Sequence, residues 1–488
     1  MMMRRRALLA GSALALPAWA QQRFDRIPEP GPALPPPLPQ VQDLRLANGL
    51  RLVLAQRRGW PLVSVNLLLN AGSLLDPPGK AGLAQLYLDV TVHGARRGRA
   101  TVDAGDIAFA AESLGASLET NSGPQAGSLG FTLPTPRLDE GLALLADLAR
   151  HPTLPASELA RSRSQALEAY RLNLADPAAL AQLLGRRLYW GDSTAGRQAT
   201  PASLARVRRE DLLTLQRQQL RPELSTLVLA GDIEAGQARA LAERYFGGWT
   251  APRTPGLRPG LAQARPLALR TLLVDLPGAG QSAVLLLAPH AGAEAAADQV
   301  SGMMANAVLG QGYSSRLGQE VRIKRGLSYG ASSQTESLPG GGWLNAFTQT
   351  RHESAAEVAA LLRAEIARMG AAELGAAELA ARRASLLGEH GRKLETTSGL
   401  AGLLSEQLLL GREPSSLVGL PQALAGVDAA RLRDFARRYW RDDAVRCVIV
   451  SDLKVAGPAL GALDPAAWVR RADELDLDAP DLRRARRG

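Results

Sequence analysis

Cysteine is almost absent. Cys447 is the only one in 488 residues, so no disulfide can form within the chain and its stability has to come from packing. Aromatic residues are scarce at 4%, which calls for a core built from leucine, alanine and valine. Lysine is nearly missing too: four lysines stand against 53 arginines. The arginines are scattered among aspartates and glutamates, so the net charge of +10 does not mark a phosphate-binding face, and nucleic-acid binding is excluded on this reading. Past the N-terminus no run of 18 apolar residues occurs, which excludes a helical membrane span.

The N-terminus itself has the composition of an export signal. Arg4, Arg5 and Arg6 precede an apolar stretch over residues 7–17, and Ala18-Trp19-Ala20 forms an A-x-A cleavage site before Gln21. The expectation is a periplasmic protein cleaved after Ala20, with general secretory or twin-arginine export both open. Residues 21–40 form a proline-rich leader that spaces the signal from the fold. A second break, rich in Pro, Gly and Arg, covers 250–265. It separates an N-terminal half at 41–249 from a C-terminal half at 266–470; residues 471–488 read as a basic tail, whose densest run, Arg483-Arg484-Ala485-Arg486-Arg487, is expected to be solvated.

The halves repeat one another. A shift of 220 residues lays 207–233 on 427–453 without a gap, matching Val207 with Val427, Leu212 with Leu432, Arg221 with Arg441 and Asp232 with Asp452. The same shift lays Glu158-Leu159-Ala160 on Glu378-Leu379-Ala380. An internal duplication is the economical explanation. Periodicity predicts strands over 49–56, 62–69, 128–133, 226–230, 282–288, 343–350 and 446–450. Helices are predicted over 81–92, 103–114, 138–150 and 298–309, with Gly115 as a left-handed cap. The fold class is therefore α+β, in two pseudo-repeated halves, each with an antiparallel-rich sheet packed against helices.

Several fragments sit in order along this frame. The first half carries Asn48-Gly49-Leu50-Arg51, Gly72-Ser73, Gly82-Leu83-Ala84 and Tyr245-Phe246-Gly247-Gly248-Trp249. The second carries Pro277-Gly278-Ala279-Gly280-Gln281-Ser282, then Leu309-Gly310-Gln311-Gly312-Tyr313-Ser314-Ser315-Arg316-Leu317, then Val321-Arg322-Ile323-Lys324-Arg325-Gly326-Leu327-Ser328-Tyr329-Gly330. Each is weak alone. Together the chain resembles the insulinase/pitrilysin metallopeptidases, in their mitochondrial-processing-peptidase-like branch, over nearly all of 41–455. The glycines at 310 and 312 form a turn that lacks the rest of a phosphate loop, which argues against nucleotide binding.

The resemblance implies a clamshell fold and locates a site. In that family the helix after Gly82-Leu83-Ala84 carries an inverted H-x-x-E-H motif: two ligands four residues apart share one helix face and a glutamate beside them serves as general base. Here the three positions are Gln85, Leu88 and Asp89. A neutral amide is a poor zinc ligand, an isobutyl group accepts no proton, and a lone carboxylate does not hold a catalytic metal. Glu168, ahead of Asp176-Pro177, matches the family's third ligand. The zinc site is thus degenerate and no metal is expected in this chain. Arg322 and Tyr329, seven residues apart, match a pair that in the family reaches the zinc site and suits a carbonyl oxygen becoming anionic. Arg325 reads as structural.

The resemblance therefore implies a non-catalytic subunit of a heterodimeric zinc peptidase. It would be inactive alone and would lend Arg322 and Tyr329 to a homologous partner with intact H-x-x-E-H and its zinc, acting on unfolded peptides. Two alternatives stand beside it: a peptide- or protein-binding scaffold with no hydrolytic role, and an autonomous peptidase with a metal on Asp89, His93 and Glu168.

Overall fold

The computed structural model describes residues 39–253 and 255–484. The expected signal segment, most of the leader and the last four residues lie outside the described residues. Two six-stranded mixed sheets carry the architecture. The first has the order β1 (Gln40–Arg45), β2 (Arg51–Gln56), β8 (Thr226–Gly231), β3 (Leu62–Leu69), β7 (Gly127–Pro134), β6 (Glu119–Ser122). The second has the order β11 (Ala331–Leu338), β12 (Gly341–Thr350), β10 (Ser282–His290), β13 (Arg446–Ser451), β9 (Thr271–Asp275), β14 (Trp468–Arg471). A small hairpin, β4 (Gly94–Arg97) with β5 (Ala100–Asp103), stands apart from both. Reversing one order superimposes the central strands of the two sheets. In the first sheet β2 runs parallel to β8, in the second β9 runs parallel to both β13 and β14, and the other neighbours in both sheets are antiparallel.

The 220-residue repeat is borne out element by element. Helix Ala156–Ala175 corresponds to Ala376–Glu395, helix Arg209–Gln219 to Ala429–Tyr439, and β8 to β13. Even a tertiary bond repeats: Arg163 Nη2 donates to the Val207 carbonyl at 2.5 Å, and Arg383 Nη2 to the Val427 carbonyl at 2.9 Å. The predicted strands and helices all form, with ends shifted by at most a few residues. Asp103 caps its helix by accepting from the Asp106 N–H at 2.9 Å, and Gly115 beyond the other end has φ +68°.

The periodic pattern did not show which sheet each helix covers. Helix Pro177–Trp190 leaves its own half and lies across β10 and β13 of the second sheet, placing Leu180, Leu184 and Leu188 against Leu285 and Val448. Its repeat, helix Thr397–Leu409, makes the reciprocal crossing onto β3 and β8, where Leu400, Ala401 and Leu404 meet Val53, Leu68 and Val228. Both start on a side-chain cap, Asp176 accepting from the Ala179 N–H at 2.7 Å and Thr396 from the Gly399 N–H at 3.0 Å. The other face of each sheet is covered by helices of its own half. Each sheet is thus sandwiched, and the two halves are interlocked. Within residues 471–484, read from sequence as part of the basic tail, Leu475, Leu477 and Leu482 are buried against the second half, while Arg483 and Arg484 are exposed. Their apolar spacing outweighs the flanking arginines.

One buried base gives the fold an acid-sensitive point. His290, at the end of β10, is 5% exposed, its Nε2 has no partner, and its ring lies against Gly302 and the edge of Phe435. Burial pushes its pKa down to about 4. The unfolded chain takes up a proton on this ring near its ordinary value of about 6.5, while the folded chain resists until about 4. Stability is therefore expected to fall as the pH drops from about 6.5 toward 4, by up to ~3 kcal/mol from this residue. Urea unfolding at pH 7 and pH 5 checks this: His290→Phe should flatten the difference, and an unchanged pH dependence in the variant rules His290 out.

Candidate functional site

The site helix, Leu83–Thr91, begins at Gly82, whose φ of 96° lets the chain enter the helix from the preceding turn. Asp76 organises that entry. Its Oδ2 accepts from the Gly82 N–H at 2.8 Å and its Oδ1 from the Ala84 N–H at 2.9 Å. Burial nevertheless pushes this carboxyl up to about 6, the backbone bonds working against the shift. Sequence reasoning missed Asp76 because it caps the helix from outside the usual N-cap position.

The three expected positions diverge on this helix. Gln85 is exposed and its Nε2 donates to Asp89 Oδ1 at 2.7 Å, so the amide and the carboxylate satisfy each other. Burial pushes the Asp89 carboxyl up, and the Gln85 bond together with the charges of His93 and Arg161 holds it down. Leu88, three residues on from Gln85, is turned inward. It is fully buried, and a Cβ placed on Gly127 of β7 would come within 2.5 Å of its Cδ1. The side chain at 88 has become part of the first core. Leu88→Ala is expected to cost ~2–5 kcal/mol, read as a lowered unfolding midpoint. A loss below ~0.5 kcal/mol would remove this packing account.

The remaining candidates do not assemble with Asp89. His93 is half-buried, and its Nδ1 lies 2.5 Å from the backbone oxygen of Asp89 at its own helix end. Glu168 is exposed and pairs with Arg171 at 3.2 Å. The helix Ala156–Ala175 instead brings the charge of Arg161 to bear on Asp89, and Arg161 in turn pairs with Glu158 at 2.7 Å. Glu168 lies seven residues further along, ~10 Å up the axis. Among the described residues no three His, Cys, Asp or Glu side chains form a group that could hold a metal. An amide, a buried isobutyl group and a carboxylate facing a guanidinium do not fit zinc.

The second expected element is built differently. Residues Gly318–Ile323 form a π-helical turn, with the Lys324 N–H reaching back to the Gln319 carbonyl at 2.9 Å. Widened turns of this kind re-aim side chains. Val321 faces the core while Arg322 lies half-buried between two rings, its Cζ 4.2 Å from the Tyr313 centroid and 4.5 Å from that of Tyr329. Two such cation–π contacts hold the guanidinium with ~0.5–1 kcal/mol each. Its Nη1 is buried without a hydrogen-bond partner. Tyr329 is 84% exposed and Tyr313 63%, so both phenols reach solvent. Gly326, at φ +61°, turns the chain between Arg322 and Tyr329.

Two buried threonines fix that loop to β12. Thr350 Oγ1 donates to the Leu327 carbonyl at 2.6 Å, and Thr348 Oγ1 donates to the Gly330 carbonyl at 2.7 Å. Arg325 binds Glu320 and lies 3.8 Å from Glu357, a structural role. The stacking of Tyr313 and the anchoring of Thr348 and Thr350 were not singled out from sequence. Tyr313 lies within the Leu309–Leu317 segment, but nothing in its spacing says which ring meets Arg322.

Comparison with known proteins now decides the family. Residues 51–192 match the model described as insulinase (peptidase family M16), and residues 206–386 match the peptidase M16 inactive domain. The chain belongs to the insulinase (M16) peptidase family. An uncharacterized zinc protease of Bacillus subtilis is 22% identical over 406 residues, covering 82% of this chain and 96% of the relative. One from Rickettsia bellii is 23% identical over 333 residues, 67% of this chain and 77% of the relative. Among solved structures, the peptidase M16 inactive domain from Pseudomonas fluorescens has a TM-score of 0.77 at 22% identity, covering 84% of this chain and 97% of that one. The first half of the periplasmic protease PqqL from Escherichia coli has a TM-score of 0.69 at 17% identity, covering 89% and 97%. As an M16 inactive-domain family member, the chain shares the fold of two pseudo-repeated halves. Among the described residues no helix is long and apolar enough to cross a membrane.

Proposed function

We propose that the chain is a non-catalytic subunit of a heterodimeric periplasmic zinc peptidase, completing the active site of a homologous H-x-x-E-H partner with Arg322 and Tyr329. The observation that carries this reading is the contrast between the two elements. The site helix has turned its working positions to packing and to an internal amide–carboxylate bond. The Arg322–Tyr329 element keeps an unpaired guanidinium nitrogen and an exposed phenol on an anchored loop. A planar, permanently charged fork and a neutral hydroxyl suit a peptide carbonyl whose oxygen gains negative charge during hydrolysis, and neither supplies the attacking water. The zinc is therefore assigned to the partner, and unfolded peptide is the substrate, held through its extended backbone.

The A-x-A signal in the sequence supports export, and the likeness to a periplasmic protease agrees with it. Co-expression with a homologue carrying the intact motif tests the reading. The pair should cleave an unstructured peptide while this chain alone does not. Arg322→Ala and Tyr329→Phe in this chain should slow the pair. A pair that binds peptide but never cleaves it would favour the scaffold alternative.

A further inference from the structure

The Arg322–Tyr329 element leaves a second feature unexplained. Below the end of helix Pro177–Trp190 lies a cavity of about 240 Å³, lined by Arg187, Arg197, Arg206, Asp192, Asp478 and, from the turn that leads to the site helix, Gly79. Arg187 is the decisive residue. It is 8% exposed, and its Nε is buried without a hydrogen-bond partner. Among the described residues none of the three guanidiniums makes a side-chain hydrogen bond or an ion pair within 4 Å. Burial pushes Arg187 down from its ordinary value, with the fields of Asp192 and Asp478 acting the other way.

The other polar groups around the cavity are already engaged. Asp478 Oδ2 accepts from Thr200 Oγ1 at 2.8 Å, and Asp192 faces Arg265 at 3.9 Å. The Ser203 hydroxyl donates to the Ala81 carbonyl at 2.8 Å, and the Gln198 amide to the Leu183 carbonyl at 2.7 Å. The donors left over are guanidinium N–H groups. A desolvated cation with no partner is costly, and a two-oxygen anion face offsets that cost through paired N–H···O bonds. The geometry points to a small oxyanion site here: a phosphate or carboxylate group seated on Arg187, with the exposed Arg197 and Arg206 as outer donors. The bound group would join the end of the crossing helix, the 192–206 segment and the packed C-terminal residues around Leu477. It shares no residue with the Arg322–Tyr329 element, so the two readings stand independently.

The test is thermal unfolding and titration calorimetry of the full chain with inorganic phosphate in one arm and succinate in another, each against chloride at matched ionic strength. At least one anion is expected to raise the unfolding temperature beyond chloride. A response to phosphate alone assigns phosphate; a response to succinate alone assigns carboxylate. Arg187→Gln should abolish that response and raise Kd at least ~tenfold. The exposed pair Arg197→Gln and Arg206→Gln together should weaken it with folding intact, and decides the matter if the buried variant does not fold. No shift beyond chloride from either anion, or equal shifts in the wild type and the outer-pair variant, overturns the proposal.

Discussion

Arg322→Ala is expected to lower peptide hydrolysis by the assembled pair about 10²–10³-fold, mainly in kcat, the range seen when one donor to a developing oxyanion is removed. The guanidinium is held between Tyr313 and Tyr329 with Nη1 unpartnered, so its charge is positioned before substrate arrives. Arg322→Lys should recover little, because an ammonium lacks the planar fork that stacks between two rings. Tyr329→Phe keeps the ring against Arg322 and deletes only the hydroxyl. A loss of about tenfold is expected there, equivalent to ~1.4 kcal/mol. Tyr313→Ala should fall between wild type and Arg322→Ala, since it frees one face of the guanidinium without removing its charge. Peptide turnover in the co-expressed pair measures all four variants. Unchanged turnover in both Arg322→Ala and Tyr329→Phe would end the catalytic assignment of this element.

Expressed separately, residues 39–253 and 255–484 are each expected to aggregate, and expressed together they are expected to form one soluble complex. The physical reason is the reciprocal crossing of the two repeated helices. Without helix Thr397–Leu409, the first sheet would leave Val53, Leu68, Val228 and Ala230 uncovered. Without helix Pro177–Trp190, the second would expose Leu285, Leu287, Val448 and Val450. Apolar faces of that size on an isolated sheet drive association. The interlock also carries polar bonds, among them Ser64 Oγ with Thr397 Oγ1 at 2.8 Å and Tyr189 Oη to the Gly342 carbonyl at 2.8 Å. Size-exclusion chromatography of the single and co-expressed halves is the measurement. Two separately soluble, cooperatively unfolding monomers would contradict the interlock. Within the intact chain, Leu404→Ala should cost ~2–5 kcal/mol, as its side chain is fully buried under the opposite half's sheet.

Much of this was legible in the chain. The strand over 62–69 and the helix over 138–150 formed with the bounds their periodicity set, since each has one clear apolar face. The degenerate site helix was legible for a different reason: ligand chemistry depends on residue type, and an amide and an isobutyl group cannot change theirs on folding. Other features depend on where a side chain points. Leu88 reads as a lost general base, and only its contact with Gly127 shows that it has joined the core. Glu168 reads as a retained ligand, and only the packing of two helices places Arg161, not Glu168, within electrostatic reach of Asp89.

The sequence by itself determined the α+β class, the duplication at a spacing of 220 residues, the absence of disulfides and the chemistry missing from Gln85, Leu88 and Asp89. Those properties are local or repetitive, fixed by residue type and period. The tertiary structure alone decided that the duplicated helices exchange sheets, that Tyr313 and Tyr329 clasp Arg322, and that Arg187 is buried beside a cavity with its Nε lacking a hydrogen-bond partner. Each of these joins residues far apart in the chain, and an apolar or charged stripe states that it needs a partner without stating which one.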